Sequence, residues 1–146
     1  MGKILLIEDE GMLARKLENE LNMQHEVKKA YSYASATGLW RKYEEKFDCI
    51  ILDFNIEPHG LDEINLDKYF PIQGISFLIE ICKDKTPEES IQIWNKTIIY
   101  SGYINVLRNK KNDLHYFNYL HLIPKQKDSI VRLLNKVHEI VKNINT

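Results

Sequence analysis

The sequence predicts an α/β protein built on a doubly wound parallel sheet, and two observations lead to that prediction. Short apolar segments alternate with longer segments in which apolar residues recur every three or four positions. Three of the short segments, residues 3–7, 49–53 and 96–100, are almost continuously apolar. Such runs are typical of parallel strands that helices cover on both faces. In this fold, the residues that follow the strands meet at one edge of the sheet.

Local patterns place five strands and the helices between them. The strands are predicted at residues 3–7, 25–30, 49–53, 96–100 and 119–123. Helical spacing is found in residues 12–21 and 32–46, and most clearly in residues 130–144. The alternation of the two element types favours a single domain that spans residues 1–146.

Two segments do not fit a minimal alternation of strands and helices. Residues 55–73 form a long connection that contains Pro58, Gly60 and Pro71, and we interpret it as an insertion. The second segment begins Thr-Pro-Glu-Glu at residue 86, which combines a capping box with proline at the first helical position. It predicts a short extra helix over residues 87–94.

Composition excludes several classes of function. The 20 basic and 21 acidic residues nearly cancel, so bulk charge does not favour a nucleic-acid or membrane partner. Cys49 and Cys82 lack metal-ligand spacing and are expected to be buried free thiols. The first apolar run, Ile4–Ile7, is too short for a signal peptide or a membrane span. We therefore expect a cytoplasmic protein.

Polar residues follow four of the predicted strands. Strand one is followed by Glu8 and Asp9, strand three ends in Asp53, strand four is followed by Ser101, and strand five is followed by Lys125. Three carboxylates at one edge repel one another and need a cation, and Mg²⁺ suits a site of few carboxylates plus water. A carboxylate beside Mg²⁺ can attack phosphorus to give an acyl phosphate. The amine and the hydroxyl can neutralise the phosphoryl oxygens.

These segments resemble the receiver domain of two-component response regulators, over essentially the whole chain. The resemblance rests on KILLIEDE, IILDFNI, TIIYSGY and LIPK, which occur in this order at the ends of predicted strands. It implies a flavodoxin-like sheet of five parallel strands in the order 2-1-3-4-5, with helices on both faces.

The resemblance also implies roles for individual residues. Asp53 is the expected phosphoacceptor, Ser101 the switch hydroxyl and Lys125 the lysine that pairs with the phosphoryl group. The expected ligands of Mg²⁺ are Glu8, Asp9, Asp53 and the backbone carbonyl of Asn55. Gly74 resembles the glycine that opens the third helix of the family.

The sequence departs from the family pattern at two positions near Lys125. Receiver domains usually have proline after this lysine, whereas here Pro124 precedes it. The switch aromatic of the family usually lies three residues before the lysine, where this chain has Leu122. Aromatic residues occur nearby, at Tyr116, Phe117 and Tyr119.

The function implied is that of a phosphorylation-dependent signalling module. A sensor histidine kinase or a phosphotransfer protein would phosphorylate Asp53, and output would pass through a partner protein. The helix after strand four, strand five and the last helix could form a homodimer. No enzymatic activity is expected beyond the chain's own phosphoryl transfer and dephosphorylation.

Two alternatives stay open. A divergent receiver could bind proteins without being phosphorylated, which Pro124, Leu122 and the long loop favour, whereas the presence of all the acidic groups and the lysine argues against it. A phosphatase of the haloacid dehalogenase type also forms an aspartyl phosphate, but such enzymes use a second aspartate two residues after the nucleophile. Asn55 occupies that position here.

Overall fold

The computed structural model describes residues 2–54 and 72–144, and a five-stranded sheet lies at its centre. Every strand pair is parallel, and the order is β2-β1-β3-β4-β5. The strands are β1 (Lys3–Ile7), β2 (Glu26–Ala30), β3 (Cys49–Leu52), β4 (Thr97–Ser101) and β5 (His121–Pro124). The predicted fold class and strand order are confirmed.

Helices connect the strands. They are α1 (Gly11–Leu21), α2 (Tyr33–Lys42), α3 (Ile75–Cys82), α4 (Pro87–Asn95), α5 (Ile104–Asn109) and α6 (Ser129–Ile144), with 3₁₀ turns at Lys111–Asp113 and Phe117–Tyr119. None of the helices in the described ranges is both long enough and apolar enough to span a membrane.

The sheet is buried because each face carries its own apolar core. Alternate strand residues point to opposite faces, so Leu5 and Ile50 pack on one side while Ile4 and Ile51 pack on the other. Helices α2, α3, α4 and α5 cover the first face, and α1 and α6 cover the second. Both faces of the central strands are therefore apolar, which explains the continuous apolar runs in the sequence.

Two predicted boundaries were wrong for local reasons, and a third differs by one residue. Helix α2 ends at Lys42 rather than at residue 46, because Glu44 and Glu45 have positive φ angles of 55° and 64°. Strand β5 starts at His121 rather than at residue 119, because the amides of Tyr119 and Leu120 bond within a 3₁₀ turn. Strand β2 starts one residue later than predicted, at Glu26.

The ends of β3 and β4 also differ from prediction by one residue. Strand β3 ends at Leu52, so Asp53 is the first residue beyond it. Strand β4 covers Thr97–Ser101 rather than 96–100, so Ser101 is its last residue. With either the predicted or the observed strand ends, Asp53 and Ser101 lie at the carboxyl edge of the sheet.

The predicted extra helix is α4, which extends one residue further, to Asn95. Its capping box forms as predicted, because Thr86 Oγ1 accepts from the Glu89 amide at 3.2 Å and Glu89 Oε1 accepts from the Thr86 amide at 3.1 Å. Trp94 then packs against Tyr116, with ring centroids 5.9 Å apart. The helix thereby contacts the segment that leads into β5.

Most of the predicted insertion, residues 55–71, lies outside the described residues. Its last two positions, Ile72 and Gln73, are buried. The chain then enters α3 at Gly74, whose amide donates to the Phe54 carbonyl at 2.8 Å. A backbone hydrogen bond therefore joins the start of α3 to the residues that directly follow β3.

Candidate functional site

Backbone hydrogen bonds place Glu8 and Asp53 side by side at the carboxyl edge. The Glu8 amide donates to the Ala30 carbonyl and the Asp53 amide donates to the Ile7 carbonyl, both at 3.0 Å. Both bonds continue the parallel ladders one residue past β1 and β3. The two residues are 1% and 5% exposed, respectively. Two carboxyl groups are therefore largely shielded from water, where each negative charge needs compensation by a positive partner or hydrogen-bond donors.

Lys125 supplies that compensation. Its ammonium Nζ lies 2.6 Å from Glu8 Oε1 and 3.1 Å from Asp53 Oδ2. The other oxygen of Glu8, Oε2, accepts a hydrogen bond from the Glu10 amide at 3.2 Å. Pro124 before Lys125 thus does not prevent the lysine from reaching both acids.

The pKa of Glu8 is raised to about 7, first by burial and second by the negative charge of Asp53. The hydrogen bond and charge of Lys125 act in the opposite direction, as does the Glu10 amide. For Lys125, burial lowers the pKa, but its bonds to Glu8 and Asp53 and their charges outweigh burial, so its pKa is raised. The lysine is therefore a permanent cation at neutral pH.

Asp9 completes a cluster of three carboxylates. One ligand oxygen from each of Glu8, Asp9 and Asp53 lies within 4.8 Å of the other two, and the Asp9 side chain is exposed. Mg²⁺ prefers oxygen ligands and retains several waters, so carboxylates at this spacing can reach one ion directly or through water. The donor set and its spacing fit the predicted Mg²⁺ site.

Ser101 lies beside Lys125 and is completely buried. Its carbonyl accepts a hydrogen bond from the Lys125 amide at 3.1 Å. Its hydroxyl oxygen accepts from the Tyr103 amide at 3.0 Å, which links the end of β4 to the segment that starts α5. A rotation of this hydroxyl would therefore break a contact at the start of that helix.

Gly74 brings α3 against the backbone of the predicted phosphoacceptor. A Cβ atom at position 74 would lie 2.6 Å from the Asp53 carbonyl oxygen and 2.9 Å from Phe54 Cα. The φ angle of Gly74 is −59°, so the glycine is needed for space and not for an unusual conformation.

Comparison with solved structures finds the same fold in other proteins. The receiver domain of the Francisella response regulator 1452 is 18% identical, with 99% of each chain covered and a TM-score of 0.62. The receiver domain of NtrX from Brucella abortus is 20% identical, with 95% of this chain and 98% of that chain covered and a TM-score of 0.63. The chain has the fold of a response regulator receiver domain.

A third receiver-fold structure was solved with ligands. Response regulator TrrA from Thermotoga maritima, in complex with Mg²⁺ and BeF, is 21% identical, with 96% of this chain and 99% of that chain covered and a TM-score of 0.61. No protein-family model matches this sequence. A search of curated proteins also gives no match.

Within the receiver fold, the structure brings together most of the residues that the sequence singled out. Glu8, Asp9, Asp53 and Lys125 form one cluster, and Ser101 borders it. The backbone carbonyl expected as a metal ligand belongs to Asn55, which lies outside the described residues.

Sequence reasoning missed Tyr100. Its hydroxyl bonds to the Ser129 hydroxyl at 2.7 Å, and its ring centroid lies 5.7 Å from Lys125 Nζ. The available signal was a tyrosine inside an otherwise apolar buried strand, since a buried phenol needs a hydrogen-bond partner. Its partner belongs to the last helix, which the sequence does not reveal.

Proposed function

We propose that this chain is a signalling module that accepts a phosphoryl group on Asp53. The contact of Lys125 with both Glu8 and Asp53, at the edge where three carboxylates meet, carries the proposal. A lysine in this position neutralises the acids before the reaction. It is also within reach of the oxygens of a phosphoryl group on Asp53.

In the proposed reaction, a carboxylate oxygen of Asp53 attacks the phosphorus atom of the donor. An oxygen–phosphorus bond forms as the bond between phosphorus and the leaving group breaks, and the leaving group takes that electron pair. The product is an acyl phosphate, which water later hydrolyses. Lys125 and the Ser101 hydroxyl stabilise the phosphoryl oxygens and so favour the in-line transfer.

A bound Mg²⁺ would neutralise the phosphoryl oxygens as charge develops on them. Glu8, Asp9 and Asp53 would hold the ion, with the Asn55 carbonyl as a further proposed ligand. The phosphoryl group would add about −1.5 to −2 charges at neutral pH. This added charge would draw Lys125 and Ser101 towards the acyl phosphate and shift the equilibrium of the adjoining elements.

The proposed donor is a sensor histidine kinase or a phosphotransfer protein, and the proposed output is contact with a partner protein. The proposal also includes homodimer formation through α5, β5 and α6. Beyond transfer to Asp53 and its hydrolysis, we propose no enzymatic activity.

Acetyl phosphate with Mg²⁺ tests the proposed transfer. Wild-type protein should give a retarded band on a Phos-tag gel, and the band should be absent for Asp53→Asn and without Mg²⁺. Asp48→Asn is the matched control, because Asp48 lies at the opposite end of β3. A wild-type protein that stays unphosphorylated, or a band that persists in Asp53→Asn, would refute the proposal. The first result would favour a phosphorylation-independent binding module.

A further inference from the structure

We infer that Tyr100 and Ser129 position Lys125 over the two carboxylates, through a bracket of hydrogen bonds that closes the loop between β5 and α6. The inference deepens the proposed function and rests on it, because it assigns positioning residues to the same site. The evidence for the inference is the set of hydrogen bonds made by the residues before and after Lys125.

Before Lys125, β5 fixes the chain. Pro124 is paired in register with Ser101, and the Lys125 amide donates to the Ser101 carbonyl at 3.1 Å. The backbone of Lys125 therefore belongs to the sheet ladder. This backbone bond fixes the position of the Lys125 main chain, but the direction of the chain after Lys125 depends on the following residues.

After Lys125, Ser129 closes the loop. Its hydroxyl donates to the Gln126 carbonyl at 2.7 Å and accepts from the Gln126 amide at 3.2 Å. Asp128 in this turn has a positive φ of 68°, so the chain reverses sharply before α6. Ser129 is 2% exposed, so water competes little for its hydroxyl.

The Tyr100 hydroxyl joins this turn to the sheet. A serine hydroxyl has one hydrogen and two acceptor sites. The hydrogen of Ser129 points to the Gln126 carbonyl and one acceptor site takes the Gln126 amide, so the 2.7 Å contact with Tyr100 is a bond that the phenol donates. Every hydrogen-bonding position of the Ser129 hydroxyl is thereby used.

Tyr100 therefore holds the lysine loop from β4, the strand that also carries Ser101. It is 3% exposed, and its ring centroid lies 5.7 Å from Lys125 Nζ. The ring lies within cation–π range of the ammonium, while the hydroxyl anchors the turn. Together they favour the side-chain arrangement in which Lys125 contacts both Glu8 and Asp53.

Tyr100→Phe tests the bracket with the smallest change, because it removes the hydroxyl and keeps the ring. Loss of one such bond should lower the phosphorylation rate with acetyl phosphate by about three- to tenfold. Ser129→Ala should behave similarly, and Ser129→Thr, which keeps a hydroxyl, should recover most of the rate. Tyr119→Phe is the control, since Tyr119 is 40% exposed and lies in a 3₁₀ turn.

A double-mutant cycle separates positioning from a general structural effect. If Tyr100 acts through Lys125, Tyr100→Phe should change the rate by less than about twofold in a Lys125→Ala background. An equal loss in both backgrounds would overturn the inference, because Tyr100 would then act by another route.

A second measurement needs no phosphorylation. In the wild type, pairing with two acids should slow the acylation of Lys125 by an amine-reactive reagent, measured by mass spectrometry. Tyr100→Phe and Ser129→Ala should speed acylation of Lys125 several-fold while exposed Lys127 is unchanged. Unchanged acylation of Lys125 in both variants would refute the bracket. If the wild type cannot be phosphorylated, the proposed function fails, and the acylation rates still decide this inference.

Discussion

The Lys125 ammonium lies 2.6 Å from the carboxylate of Glu8, a residue that is 1% exposed. The lysine side chain itself is 25% exposed, so the pair lies at the boundary between core and solvent. Removing one partner of a buried ion pair leaves an uncompensated charge, which costs more than the pair contributes when intact. The stability of the fold and the proposed chemistry of the site therefore depend on the same contact.

Lys125→Met should lower the free energy of unfolding by about 2 kcal/mol at pH 8, less than for a fully buried pair because the lysine is partly solvated. Mg²⁺ should restore part of this loss, because it also neutralises the acids. Urea unfolding with and without Mg²⁺ measures both effects. Lys127→Met, at an exposed lysine two residues away, should change stability by less than about 0.5 kcal/mol. Equal losses for the two variants would contradict the assigned contact.

Gly74→Ala should destabilise the protein by about 1–3 kcal/mol. The added methyl group would lie 2.6 Å from the Asp53 carbonyl oxygen, and backbone on both sides would have to move. The matched control is Gly38→Ala, at an exposed helical glycine where, among the described residues, the added Cβ would have no neighbour within 4 Å outside its own helix backbone. It should stabilise the protein by about 0.5–1 kcal/mol. Chemical denaturation of the two variants gives opposite signs if the close approach at position 74 is real.

His25 should make the protein less stable in mild acid. Its Nδ1 accepts from the Gly2 amide at 3.1 Å, so the proton lies on Nε2, which donates to His138 Nδ1 at 2.9 Å. Burial lowers the pKa of His25, and the charges of His138 and the amino terminus lower it further, while Asp48 opposes them. The folded protein therefore binds a proton less readily than the unfolded chain, whose histidine pKa is 6.5.

Stability due to His25 is consequently complete above this value and decreases as the pH falls below it, by at most about 1.4 kcal/mol per pH unit. Urea unfolding at pH 7.5 and 5.5 should show a smaller acid-induced loss for His25→Gln than for the wild type. Exposed His115 provides the control variant His115→Gln, which should keep the wild-type loss. The pairing would be disproved by identical losses in all three proteins.

Thr86→Ala should reduce the free energy of unfolding by about 1 kcal/mol. The substitution removes the hydroxyl that accepts from the Glu89 amide, and it keeps the backbone amide of residue 86 that donates to Glu89 Oε1. Thr86→Ser keeps that hydroxyl and should remain within about 0.5 kcal/mol of the wild type. Thermal and urea unfolding provide the comparison. A serine variant as unstable as the alanine variant would show that the methyl group of Thr86, and not its hydroxyl, matters.

The sequence was most informative where a local pattern and a buried environment agree. Apolar runs predicted β1, β3 and β4 to within one residue, and Thr86 with Glu89 predicted the start of α4. Prediction was poorer at the start of β5 and at the end of α2. Turn hydrogen bonds and the positive φ angles of Glu44 and Glu45 override side-chain propensity there.

The amino-acid pattern was sufficient to predict the α/β fold and to place five polar residues at the ends of strands, namely Glu8, Asp9, Asp53, Ser101 and Lys125. Parallel strands align their ends, so this part follows from the order of residues and the period of their apolar pattern. The folded structure was needed to show that Lys125 reaches Glu8 as well as Asp53, and that Tyr100 bonds to Ser129. These contacts join residues 29 to 117 positions apart, because the side chains meet only after the sheet has formed.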